Sequence, residues 1–226
     1  MSRIPFLLLA AGALGPVLGS AEELRAGPAE SVLTLRTTKA GPLGGLAHDH
    51  RFVPERWRAA VSFQADRLAP TEVEVVVDAA SLHDHEPRLK ERSRADVDET
   101  AAGPEVLDAR RFPQIRYHGR AEGPLRAAAD GGLEGVLHGT LTLHGASGPL
   151  DVPFHVRADG GAYRASGVVS FRQTAFGMRP YSTALGTIGV DDLVRLEFDL
   201  VLRPVAGGAP SAASGGDAVR AGSGGP

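Results

Sequence analysis

"DLVRLEFDLVLRP", residues 192–204, alternates between apolar and polar side chains along its whole length. Val194, Leu196, Phe198, Leu200 and Leu202 share one parity, with Arg195, Glu197, Asp199 and Arg203 on the other. Successive side chains of a strand point to opposite faces of its sheet, so this stretch reads as a long strand with one dry and one wetted face. "GLEGVLHGTLTLHG" (132–145) repeats the pattern, with Leu133, Leu137, Leu141 and Leu143 set against Glu134, His138, Thr140, Thr142 and His144.

The same alternation runs through most of the chain. It places Leu33 and Leu35 inward in "SVLTLRT" (31–37), and Val61 and Phe63 inward in "AAVSFQAD" (59–66). It does the same for Val73, Val75 and Val77 in "TEVEVVVD" (71–78), and for Ile115 and Tyr117 in "QIRYHGRAE" (114–122). "DVPFHVR" (151–157) and "YRASGVVSFR" (163–172) are shorter examples. Turn residues separate the runs, as in "ADGGL" (129–133), "GASGP" (145–149) and "ADGGA" (158–162). One apolar and one polar face per strand marks an antiparallel rather than a parallel sheet. Eight or more such strands predict a β-sandwich or an up-and-down barrel. The length of the last strand favours a barrel of about eight strands, whose interior is wide enough for one small ligand. Gly135 and Gly139, on the inward parity, are expected to leave room in the middle. The segment 93–111, charged and poor in β-branched runs, is expected to form one or two short helical turns with Val106 and Leu107 packed inward.

Composition bounds the rest. The chain has 226 residues, a formal net charge of -3 and no cysteine. No basic surface for nucleic acid follows from that charge. The missing thiols exclude disulfides, cysteine-ligated metals and thiol catalysis together. Arg3 followed by the apolar "FLLLAAGALGPVLG" (6–19) and the small residues "GSA" (19–21) read as a signal peptide cut after Ala21, not as a permanent membrane anchor. The expected organisation is a signal peptide at 1–21, a linker at 22–30, one folded domain at 31–205 and a disordered tail at 206–226 rich in Gly, Ser and Ala. The expected compartment is the periplasm, or the outside of the cell.

Two His-Asp-His runs carry what polar chemistry the sequence offers: His48–Asp49–His50 and His83–Asp84–His85. Histidines two apart on a strand can ligate zinc or copper with carboxylate help. Neither spacing is a zinc signature, and the simpler reading makes His48 and His50 polar residues of a barrel mouth or lumen. Ser81, His83 and Asp84 are sequence neighbours without a nucleophile elbow, so no hydrolytic triad is expected. His118, His138, His144 and His155 lie on the polar parity and are expected to face solvent.

Four stretches in order carry a family resemblance: "AASLHDHEPRLKER" (79–92), "VLDARRFPQIRYHG" (106–119), "LHGTLTLHGASGPLDVPFHV" (137–156) and "SFRQTAFGMRPYSTALGTIGVDDLVRLEFDLVL" (170–202). Their most specific parts are Phe112, Pro113, Ile115 and Tyr117; Gly139 to Gly145; and Arg172, Thr174, Phe176 and Gly177. Together they resemble the YceI-like, polyisoprenoid-binding family. The resemblance implies an all-β, lipocalin-like antiparallel barrel with a short helical insertion. It also implies an isoprenoid lipid or quinone as the bound partner, and with no catalytic motif in the sequence a non-enzymatic role without other cofactor is expected. The chain departs from the family near its first strand, "VLTLRTTKAG", and at "LHDHEPRLKER". The residues expected to line the lumen are Leu33, Leu35, His48, His50, Val61, Phe63, Val75, Ile115, Tyr117, Leu141, Leu196 and Phe198. A barrel without ligand that serves as an interaction or stress-associated protein, a histidine-based metal binder, and a homodimer all stay open at this point.

Overall fold

The structure, a computed structural model, describes residues 21–64, 69–122, 125–183 and 187–205. Of the segments expected as a signal peptide (1–21) and a tail (206–226), all but Ala21 lie outside the described residues. Eight antiparallel strands follow one another around a closed barrel. Three of them are built from two collinear segments. Strand β1 is Ala21–Ala26 continued by Val32–Ala40, β2 is His50–Pro54 continued by Trp57–Gln64, and β3 is Ala69–Asp78 continued by Leu82–Asp84. The rest are β4 (Gln114–Ala121), β5 (Leu133–Leu143), β6 (Ala146–Asp159), β7 (Ala162–Arg172) and β8 (Ile188–Pro204). Among the described residues no helix is long and apolar enough to cross a membrane.

Closure depends on β1. Its second segment pairs with β8 through Leu33↔Phe198 and Leu35↔Leu196, and its first through Leu24↔Pro204 and Arg25↔Arg203. On its other side the same first segment pairs with β2 from Ala21↔Gln64 to Ala26↔Ala59. The ring of paired strands thus closes on itself through this segment, which removes most of the open edges that invite aggregation. Residues 22–30, expected as a linker, are therefore corrected. Ala21–Ala26 is barrel wall, and Leu24 is among the most deeply buried side chains. The segment is too short, and its two glutamates too polar, for alternation alone to identify it.

The hairpins are tight where positive φ is affordable. His144 (φ 52) and Gly145 (φ 75) join β5 to β6, and Gly160 (φ 57) and Gly161 (φ 84) join β6 to β7. Two consecutive residues at positive φ make the mirror-image turn whose twist matches the flanking strands. The expected turn at "GASGP" is thus confined to His144–Gly145, and Ala146–Pro149 already belong to β6. The insertion is also longer than expected. It forms a three-turn helix, α1 (Glu91–Ala102), with no buried residue of its own, after which Leu107 is buried in the core and Val106 packs against it.

The glycines expected to leave space are filled instead. A Cβ on Gly139 would stand 2.5 Å from the Tyr117 hydroxyl, and one on Gly135 would stand 2.9 Å from the Phe154 ring. A Cβ on Gly167 would strike the Phe198 ring and the Pro153 carbonyl. Aromatic rings of neighbouring strands occupy the space over these glycines, so the positions give up volume to the wall and not to a ligand.

Candidate lumen and mouth

All eight strands run between a base and a mouth. At the base, Leu24, Val61 and Phe63 are buried, and Phe63 meets Tyr163 with ring centroids 5.1 Å apart. At the mouth stand α1, Val106 and Leu107, and the 3-10 turn Gln173–Phe176 that follows β7. Between them lies a cavity of about 200 Å³. An engineered apolar cavity of about 150 Å³ stays dry and takes up benzene, so this one is large enough to hold hydrocarbon.

Eight of the expected lining residues do line it: Leu33, Leu35, Val75, Ile115, Tyr117, Leu141, Leu196 and Phe198. Four do not. Val61 and Phe63 point inward as parity requires, but they plug the base below the cavity. His48 is corrected more thoroughly. The chain around it is not a strand, because Gly44–Leu46 forms a 3-10 turn and β2 begins only at His50. His48 is exposed, in a surface groove with Arg36, Lys39 and Glu86. His50 does face inward but lines an outer chamber of about 270 Å³ at the mouth. Parity alone did not mark Pro54, Leu82, Phe171 and Met178, whose places depend on how strand segments join and how the turn after β7 folds back.

Among the described residues the wall carries three polar side chains: Thr37, Tyr117 and Gln173. The Tyr117 hydroxyl is directed at the carbonyls of Leu137 and Leu150, both 3.2 Å away. Burial, aided by the Asp151 carboxylate, pushes its pKa up to about 12. The Gln173 amide donates to the Asp191 carbonyl at 2.8 Å. Thr37 Oγ1 is buried and has no hydrogen-bond partner.

The two His-Asp-His runs do meet, and the pairing of β2 with β3 brings them together through Phe52↔Asp84 and Val53↔His83. Asp84 is the hub. Its buried carboxylate accepts from the backbone N–H groups of Arg51 and Glu86, and its other oxygen lies 2.8 Å from His50 Nδ1. Asp98 of α1 completes the joint, taking the Asp84 N–H at 2.7 Å and His83 Nδ1 at 2.9 Å. His50 is thus matched with Asp84, and His83 with Asp98 and, at 3.7 Å, Glu55, while among the described residues no group of three or more such side chains could hold a metal ion. Ser81 has a structural task. Its hydroxyl donates to the Asp78 carbonyl at 2.8 Å and accepts from the Arg56 N–H at 3.1 Å. The outer-face histidines pair with carboxylates on the surface: His118 with Glu72, His138 with Asp151 and His155 with Asp130.

The motif residues prove to be joinery for this end of the barrel. Asp192 Oδ1 takes the Thr174 N–H and its Oδ2 the Thr174 hydroxyl, both at 2.8 Å, and Arg172 reaches Oδ2 at 3.3 Å. These bonds, the backbone N–H of Thr174 foremost, hold the Asp192 carboxyl below its ordinary range. Gly177 (φ 71) ends the turn in the left-handed conformation. Phe112 packs edge-on to His144 and occupies the space over Gly145.

A family model described as the YceI-like domain matches residues 33–202. Among solved structures the chain resembles Burkholderia cenocepacia BcnA at 20% identity and a TM-score of 0.57, covering 76% of this chain and 95% of that one. It also resembles a polyisoprenoid binding domain from Saccharophagus degradans, implicated in plant cell wall breakdown, at 14% identity and a TM-score of 0.57. That match covers 82% of this chain and 100% of the other. No curated protein sequence matches the chain.

Proposed function

The chain belongs to the YceI-like family, and on that premise we propose that it is an exported carrier whose lumen holds the hydrocarbon chain of an isoprenoid lipid, a quinone or a polyprenyl compound. The observation that carries this reading is the cavity wall, built from aliphatic and aromatic side chains of all eight strands with two of its three polar groups bonded to backbone carbonyls. Such a space binds by removing apolar surface from water, at about 0.8 kcal/mol per methylene, and needs no charged anchor. The similarity to a structure described as a polyisoprenoid binding domain supports the choice of ligand class. The apolar stretch 6–19 supports export, and cleavage after Ala21 would leave β1 starting at Glu22.

A binding role accounts for the site without a reaction, because the histidine–carboxylate pairs at the mouth hold structural elements together. The test is organic extraction of protein purified from its own host, followed by mass spectrometry. A prenyl lipid recovered at up to one per chain is the expected result. Protein that carries no lipid, and takes none up from prenyl-lipid vesicles, would sink the carrier reading.

A further inference from the structure

We propose that Thr37 and His50 form a headgroup site at the mouth that selects isoprenoids ending in a hydroxyl over those ending in an ether or in hydrocarbon. The proposal rests on the carrier reading above and adds to it which polar end the ligand carries. Thr37, Phe52, Ala101, Val106 and Gln173 line both the lumen and the outer chamber, so the two spaces meet there and a chain seated in the lumen ends among these residues. Thr37 and His50 are directly opposed across β1 and β2, which puts their side chains on the same face. A buried hydroxyl without a partner is costly, and Thr37 Oγ1 is one that a ligand could satisfy.

His50 supplies the selectivity. Its Nδ1 faces Asp84, whose carboxylate only accepts, so Nδ1 carries a proton and, in the neutral ring, Nε2 is left as an acceptor. The backbone bonds of Arg51 and Glu86 fix that carboxylate, which in turn fixes the ring and its tautomer. An acceptor on His50 beside a hydroxyl that can donate or accept is complementary to an alcohol, a phenol or a quinol. An ether or an oxidised quinone brings only acceptors, and leaves Nε2 unmatched.

The experiment compares three probes of the same C15 prenyl length: farnesol, its methyl ether and the parent hydrocarbon. Affinities are measured by calorimetry at mildly alkaline pH. The parent protein should bind farnesol about tenfold more tightly than the other two, the scale of one or two net hydrogen bonds. Thr37→Val and His50→Phe should each reduce that preference severalfold while the ether still binds. Ligand-free Thr37→Val should also melt about 2–4 °C higher, because an unsatisfied hydroxyl has been replaced by a methyl group. Equal binding of all three probes overturns the headgroup site and leaves the lumen intact. A preference that survives both substitutions, or a ligand-free Thr37→Val that melts no higher, overturns the assignment to these residues. If none of the probes binds, the carrier reading fails as well.

Discussion

The Tyr117 hydroxyl lies 2.5 Å from where a Cβ on Gly139 would stand, so the tyrosine ring of β4 occupies the place of a side chain on β5. The His118 carbonyl is equally close to that point, and backbone cannot swing aside as a side-chain tip can. Gly139→Ala should therefore destabilise the barrel by about 1–3 kcal/mol, the usual cost of overpacking. Denaturant unfolding checks this, and a midpoint equal to the parent's would show that the wall yields freely.

Leu141 stands opposite Tyr117 and lines the cavity. Leu141→Trp fills space that a ligand would use. Co-purifying lipid should fall below detection while the melting temperature of lipid-free protein holds or rises. A loss of about 1–3 kcal/mol in the lipid-free form would mean that the space behaves as solid core.

The phenol of Tyr117 provides a pH signature. Its folded pKa of about 12 exceeds the ordinary 10.0, so the folded state binds its proton more tightly than the unfolded one. That contribution is complete below pH 10.0 and is lost as pH rises towards about 12. Ultraviolet titration should show one of the 3 tyrosines ionising late. Tyr117→Phe should flatten the alkaline fall in the unfolding midpoint, and an unchanged slope would contradict the assignment.

Asp98 ties α1 to the mouth through the Asp84 N–H and His83. Asp98→Ala removes both bonds from a helix that buries no residue of its own. Exchange of bound prenyl lipid with vesicles should accelerate severalfold, with little change in the melting temperature. An unaltered exchange rate would place the route of entry elsewhere.

The wall of the barrel was legible in the sequence because a strand's period of two is a local property. Val194 to Leu202 and Leu133 to Leu143 need no distant partner to show which side faces in. For the same reason eight of the residues expected to face inward stand on the cavity wall. What parity cannot tell is depth. Val61 and Leu35 look alike along their strands, yet one plugs the base and the other lines the cavity, because depth depends on register between strands remote in sequence. Nor could it show that Gly139 is covered by Tyr117, since that contact joins residues 22 positions apart. The histidines illustrate the limit best. His48 and His50 share parity and composition, but the strand starts between them, leaving His48 in solvent and His50 at the mouth. The role of His50 is then set by Asp84, 34 residues away, which only the pairing of β2 with β3 brings within hydrogen-bonding distance. Local chemistry thus decided which faces are dry, and the closing of the sheet decided where along them a ligand could lie.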